Sequence, residues 1–489
     1  MTGRFMTGYL AVLFISAALG FFHLVAIGTF GLTLLEALFS VSFVYALYHG
    51  LWLGKPLQIP KRFDVLTMVS LVVMIIVSAV PVLISGEAAS VSQSIKTIAH
   101  FLYLWLFAFI MVSLPISASQ WVTAIRAHFV LSFAVMVFGI YQLPARALDL
   151  PLAWIEISNI SFQRGLEEAA EVTQLALRFE NFYRATSIFS EPSALAGYGA
   201  ASLAMLIVPL LSGGPTIIKN RTWLIASIIV TVLAIFLAFS MSGTLLVAAI
   251  VGLTLLLYPK ESWRQFLTIG VVSLVLIVAA DRIVNATTDV SVIGLFSQRI
   301  TSLVSGAAAR EETGAIEGES LTQRVADYRI SYEVWQESPV TGVGLGNFAN
   351  SDASRYHNVQ FPATTIGSVL AELGIIGLIV FVVFLGGTYV SVQADERRWR
   401  SFHRGRDEDV DRLAPILPFR LVLLIIVAFT GNFLVTAVFW YDMVLVLSGQ
   451  SAIRRHMGIE THVNVYLTRT PWRERWINAR TKLDHGAHH

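Results

Sequence analysis

The sequence predicts an all-α fold, a polytopic membrane helix bundle, and three observations carry that prediction. Of its 489 residues, 55% are hydrophobic and only 13% are charged, whereas a soluble domain carries about 25% charged residues. Apolar runs long enough for a helix to cross the bilayer core, about 20 residues each, recur along the chain. Basic residues gather in alternate loops, the asymmetry that orients membrane proteins. Cysteine is absent, which excludes a disulfide framework, thiolate metal ligands and a cysteine nucleophile. The net charge of +2 constrains little, since in such a chain the placement of charge matters more than its sum.

In chain order, spans are predicted over residues 9–28, 29–48, 65–84, 97–114 and 120–143. A polar interval, 144–191, follows, and then spans over 192–211, 221–239, 243–258 and 266–280. The longest polar interval is 281–362, and after it come a span over 364–388 and a stretch over 416–447 that divides in two around Gly431. This gives about twelve transmembrane helices. The first run spans and lacks a small-residue cleavage site, so it is expected to stay as a helix. No internal repeat is visible, and 305–320, rich in Ala, Gly and Glu, is the one stretch resembling a linker.

With the N-terminus inside, the inside loops hold Lys55, Lys61, Arg62, Lys219, Arg221, Lys260 and Arg264, and six arginines between 397 and 412. The two long intervals then lie outside. The first has four arginines against seven acids and the second six against ten, with no lysine in either. A solvated mixed-charge loop accounts for such a composition. So does a subset of arginines making bidentate contacts to phosphate or carboxylate, which the planar fork suits better than lysine's point charge. The expected division is a bundle over 1–450, with outer loops 144–191 and 281–362, and a basic cytoplasmic tail over 451–489 carrying Trp472 and Trp476. Affinity for anionic headgroups suits that tail.

Four segments carry candidate chemistry. Arg184 and Glu191 precede a membrane helix that Pro192 opens, so both fall at its outer mouth. Headgroup snorkelling for Arg184 and a helix-dipole contact for Glu191 are the plainer readings. Residues 324–339 place Val325, Tyr328, Ser331, Tyr332 and Trp335 at helical spacing, giving an amphipathic helix along the membrane surface. Arg324 and Asp327 share one face of it, and Arg329 projects about 140° from Arg324. Gly342, Gly344 and Gly346 follow no strand, so a dinucleotide fingerprint fails on context and a tight turn or close backbone approach is expected. His357, beside Arg355 and Asn358, is either a hydrogen-bonded structural residue or a general acid/base. Its neighbours show no metal-site spacing. Transport is the reading from another class, and mid-membrane ionisable residues or paired broken helices would mark it. The spans are expected to be nearly free of acids apart from Glu36 and Glu372, which argues against it.

The order of these elements resembles the Wzy/O-antigen ligase superfamily. Arg324, an aromatic four residues on (Tyr328), Pro339, Gly342, Gly344, Asn347-Phe348, His357-Asn358, then Glu372, Gly374 and Gly377 follow that family's pattern, with Tyr328 where tryptophan is common. The segment from Arg184 to Glu191-Pro192 is similar to the arginine motif those proteins carry before a central span. The resemblance implies a metal-independent, inverting glycosyltransferase without cofactor, facing the periplasm from the bacterial inner membrane. The donor would be a glycan on undecaprenyl diphosphate. The acceptor would be another lipid-linked repeat unit in a polymerase, or lipid A-core in a ligase. Arg184 and Arg324 would clamp the diphosphate, with Arg329 or Arg355 assisting, and His357 would orient or deprotonate the attacking hydroxyl, with Glu191 the second-choice base. Of the two, the polymerase is preferred, because the run from Ser187 to Ser193 looks closer to polymerase-like members. Membrane lipids, a chain-length regulator and a flippase are the further expected partners, and nucleic acid is not.

Overall fold

A computed structural model describes residues 2–19, 23–27, 30–158, 171–174, 178–179, 182–288, 290–295, 297 and 319–468 of the chain. The helices are α1 (Thr2–Ala17), α2 (Leu34–Leu47, continued by a π turn over Tyr48–Trp52), α3 (Phe63–Ser85), α4 (Ala88–Ser113) and α5 (Ala118–Ala147). After the first polar interval come α6 (Pro192–Leu211), α7 (Arg221–Ala238), α8 (Met241–Leu257) and α9 (Pro259–Thr288). The remainder are α10 (Glu319–Glu337), α11 (Asp352–His357), α12 (Thr365–Phe402), α13 (Glu408–Leu413), α14 (Ile416–Thr430) and α15 (Ala437–His456). The protein is a polytopic all-α membrane protein. Among the described residues, nine segments are long and apolar enough to cross a membrane. The other three predicted spans fall on α1 and α8, which are shorter apolar helices, and on α15.

Local chemistry sets the ends of these helices. Ser117 and Gln120 form a capping box that starts α5, as Thr33 and Glu36 do for α2, each pair satisfying two backbone N–H groups that the first turn leaves open. Pro192 opens α6, where a missing N–H costs nothing. The α6 span is 72% buried, against 6% for the span within α9. Thus α6 is a central strut, packed on α7, α8 and α14, and α9 is peripheral, packing one stripe, including Ile269, Ile277, Ala280 and Val284, against the bundle.

Several expectations need correction. The span predicted over 9–28 ends as helix at Ala17, and the chain then forms an antiparallel hairpin of His23–Ile27 with Phe30–Thr33. Hydrophobicity alone cannot separate an apolar strand from an apolar helix, whereas the capping box at Thr33 marks where α2 begins. The outer interval expected from 144 starts inside α5, which runs through Pro144 to Ala147, and α9 likewise extends past 280 to Thr288. Span interiors also hold more acid than Glu36 and Glu372. Asp442 on α15 is buried and paired with Arg420 on α14, beside buried His128, Ser132 and Ser202. A charge in the bilayer is tolerated when a partner and hydrogen bonds compensate it.

The face with the basic loops is sealed by the chain's last described segment. Helix α15 continues through residue 450 to His456, and strand His462–Val465 pairs antiparallel with Leu57–Pro60. Arg454 joins Asp395 at 3.1 Å and Glu460 at 2.8 Å. Trp472 and Trp476, and 305–318 of the linker-like stretch, lie outside the described residues.

Candidate functional site

The opposite face carries the site, on α10, α11 and the glycine loop between them. The fixed point is a break in α12. At Gly374 the backbone adopts φ 69°, ψ −171°, a region essentially reserved for glycine. The loop from Pro339 to Gly344 fills this break. Ile375 N–H donates to Pro339 O at 2.9 Å, while Val343 and Gly344 N–H donate to the carbonyls of Ala371 and Glu372, each at 3.0 Å. The backbones are too close for side chains: a Cβ at Gly342 would lie 2.2 Å from the Glu372 carbonyl carbon, and one at Gly374 2.3 Å from Val340 O. The expected close approach is observed, and what approaches is the protein's own membrane helix.

Below that contact, the buried Glu372 carboxylate accepts from Ser368 Oγ at 3.1 Å and from the backbone N–H groups of Gly346 and Phe348. Asn347 reaches across to Ser94 on α4 at 2.6 Å. The loop is therefore held from two sides before it enters α11, which Ser351 caps.

Helix α10 forms where the spacing predicts a helix, but the face it buries is Ile330, Ser331 and Val334, whereas Tyr328 and Tyr332 of the predicted stripe stay exposed; Glu333 and Glu337 are presented to α11. The carboxylate of Glu337 accepts from the N–H groups of Ala353 at 2.8 Å and Asp352 at 3.3 Å, at the start of α11. One turn earlier on α10, Glu333 meets the other end: its Oε2 lies 2.7 Å from His357 Nε2. Its Oε1 accepts from Arg329 Nε at 3.0 Å. Hydrogen bonds from His357 and Arg329 hold the Glu333 carboxyl below the usual glutamate range. Tyr356 stands 85% exposed, its ring edge-on to His357 with centroids 5.0 Å apart. Arg355 pairs with Glu87, in the turn between α3 and α4, at 3.1 Å. The backbone of Arg324 lies in α10, and its side chain lies outside the described residues.

A second group stands on the segment leading into α6. Arg184 is buried and its Nε donates to Ala238 O, at the end of α7, at 3.1 Å. Its own carbonyl accepts from Arg146 Nη1 at 2.6 Å. Arg146 is the organiser here: it also bonds Ala153 O, Gln174 Oε1 and Thr186 Oγ1, and its guanidinium lies 4.3 Å over the Trp154 ring. Glu191 is exposed at the N-cap of α6, where Ser193 Oγ donates to it at 2.9 Å. The structure thus brings His357 and Arg329 together through Glu333, ties Arg355 to Glu87, sets Arg184 against Arg146 and the end of α7, and sets Glu191 against Ser193 at the start of α6.

Glu333, Glu87 and Arg146 are absent from the sequence-based candidates. The four-residue spacing of Arg329 and Glu333 was the available signal for the first. Nothing local marks the other two. Among the described residues, no group of three or more His, Cys, Asp or Glu side chains is placed to hold a metal ion.

Residues 226–382 match the Wzy_C family model, described as O-Antigen ligase. The matched segment runs from α7 into α12, so it contains the glycine loop, Glu333 and His357 and leaves out Arg184 and Glu191. It covers less than half of the chain, and it supports the Wzy/O-antigen ligase superfamily of membrane glycan enzymes, which the motif order resembles. No curated protein matches the chain.

Proposed function

We propose that this member of the Wzy/O-antigen ligase group is a glycan polymerase. On this reading it joins oligosaccharide repeat units carried on undecaprenyl diphosphate, at the periplasmic face of the bacterial inner membrane. The observation that carries the reading is His357 at the end of α11, exposed and held by a carboxylate, inside the matched segment and on the face opposite the basic loops. An acceptor hydroxyl gives its proton to His357 as its oxygen bonds to the anomeric carbon of the donor sugar. The bond from that carbon to the diphosphate oxygen breaks, and undecaprenyl diphosphate leaves with the electron pair. The leaving group is already a good one, so the protein's task is to position it and stabilise charge. Arg184 and Arg324 are the proposed clamp, with Arg329 and Arg355 as auxiliaries that exchange Glu333 and Glu87 for phosphate oxygens, and Glu191 stays the second-choice base.

Two features of the kind that mark a transporter have a different reading here. The break in α12 is filled by the chain's own loop, and the mid-membrane pair of Arg420 with Asp442 is closed on itself. Neither opens a path for cargo.

The test is chain growth from purified lipid-linked repeat unit, without added metal or nucleotide. His357→Ala is expected to slow turnover by about 10²–10⁴-fold, and Arg324→Ala to slow it as well, with both variants folded. Growth that survives both substitutions would remove the mechanism. The description of the matched family favours one alternative: a ligase, which would transfer a preassembled chain to lipid A-core and leave the repeat unit unextended.

A further inference from the structure

Two glutamates one turn apart on α10 hold the two ends of α11. Glu337 takes the N–H groups of Asp352 and Ala353 at its start, and Glu333 takes His357 at its end. The dimensions agree: four residues of α10 rise about 6 Å, and the six residues of α11 about 7.5 Å between first and last. The register of α10 is set independently by Ile330 and Val334, which are buried, and by Ser331, which lies close against Gly367 of α12. The carboxylate is therefore presented to the histidine by a rigid element and is steadied on its other oxygen by Arg329.

An ionised carboxylate only accepts hydrogen bonds. The hydrogen in the 2.7 Å contact therefore belongs to Nε2 of His357, and a neutral ring then keeps its lone pair on Nδ1. From this geometry we infer that Glu333 is the positioning residue of the site, fixing His357 in its Nε2–H form so that Nδ1 receives the proton of the attacking hydroxyl. The second half of that statement rests on the glycosyl-transfer reading, and the first does not. As the acceptor oxygen bonds to carbon, its proton passes to Nδ1, the imidazolium is stabilised by Glu333 across the ring, and the proton then leaves to solvent. Glu333 touches no reacting atom.

The experiment separates the two halves. Protein labelled with ¹⁵N-histidine, in detergent at a pH of about 8 where an ordinary histidine is neutral, is compared with Glu333→Gln and Glu333→Ala. His357→Gln identifies the resonance. Native protein is expected to show the Nε2–H form alone, and both Glu333 variants a mixture. An Nδ1–H ring in the native protein, or an unchanged ring in both variants, overturns the inference. In the turnover assay, Glu333→Ala is expected to lower kcat at least about tenfold with KM little changed, as for other residues that hold a catalytic histidine in its tautomer, and Glu333→Asp to recover part of it. Unchanged kcat in a variant whose ring has become mixed overturns the positioning role. If native protein turns over no lipid-linked glycan while the ring behaves as expected, the functional reading fails and the tautomer assignment stands.

Discussion

Two groups in this protein each combine an arginine, a carboxylate and a histidine, and burial gives them opposite uses. At mid-membrane, Arg420 and Asp442 expose only 7% and 9% of their side chains, and His128 beside them bonds Ser202 at 3.0 Å. At the face opposite the basic loops, Arg329 exposes 78% of its side chain, His357 30% and Glu333 28%. Charges withdrawn from water are bound to one another by the cost of separating them. Charges that share solvent exchange partners cheaply, since a surface pair is worth only about 0–1 kcal/mol. The first group can therefore hold α14 to α15, whereas in the second the exposed Arg329 can trade its contact with Glu333 for a substrate's while Glu333 keeps His357.

The sharpest way to break this contrast is Asp442→Ala. Leaving Arg420 buried without its partner is expected to cost roughly 3–5 kcal/mol, read by unfolding in detergent, and a double change of Arg420→Met with Asp442→Leu to recover most of it. If Asp442→Ala costs no more than Glu333→Ala, the contrast fails. Next in size is Gly374→Ala, which strikes the contact joining the outer site to the bundle. The backbone conformation alone is worth about 1–3 kcal/mol, and the new Cβ would also meet Val340 O. Unfolding should show the loss, and limited proteolysis should show the loop over 339–346 released, with α11 freed along with it. Survival of a protected loop would mean that the break in α12 does not anchor the site.

The smallest effect sharpens the comparison through pH. The His357 and Arg329 hydrogen bonds hold the Glu333 carboxyl below its ordinary range. A carboxyl lowered by folding contributes stability that is complete above its unfolded value and is lost as pH falls through its folded one. The stability difference between native protein and Glu333→Gln should accordingly be present above the ordinary glutamate range and shrink as pH falls below that range. A difference that stays unchanged once the carboxyl is protonated would place the pairing elsewhere.

What could be read in the chain follows the reach of each signal. Apolar length gave the class of fold and most of the spans, and the helical spacing of Val325, Tyr328, Ser331, Tyr332 and Trp335 gave α10, because both patterns are complete within a few turns. Three positive-φ glycines, Gly342, Gly344 and Gly346, were legible as a close approach, though not what they approach. His357 was named from its order among motifs, and its setting was not. The hairpin over 23–33 was misread for a related reason: a short apolar run is compatible with either backbone until its neighbours choose.

By itself, then, the sequence determined a helical membrane protein with polar, arginine-bearing loops, since hydrophobic length and helical periodicity are local properties of the chain. The tertiary structure decided which charges meet. Glu333 finds His357 across 24 positions, Arg355 finds Glu87 across 268, and Arg420 finds Asp442 across 22. No local pattern specifies such pairs. The first two exist because α12 breaks at Gly374, admits the glycine loop, and so fixes where α11 lies, and the third because α14 packs on α15.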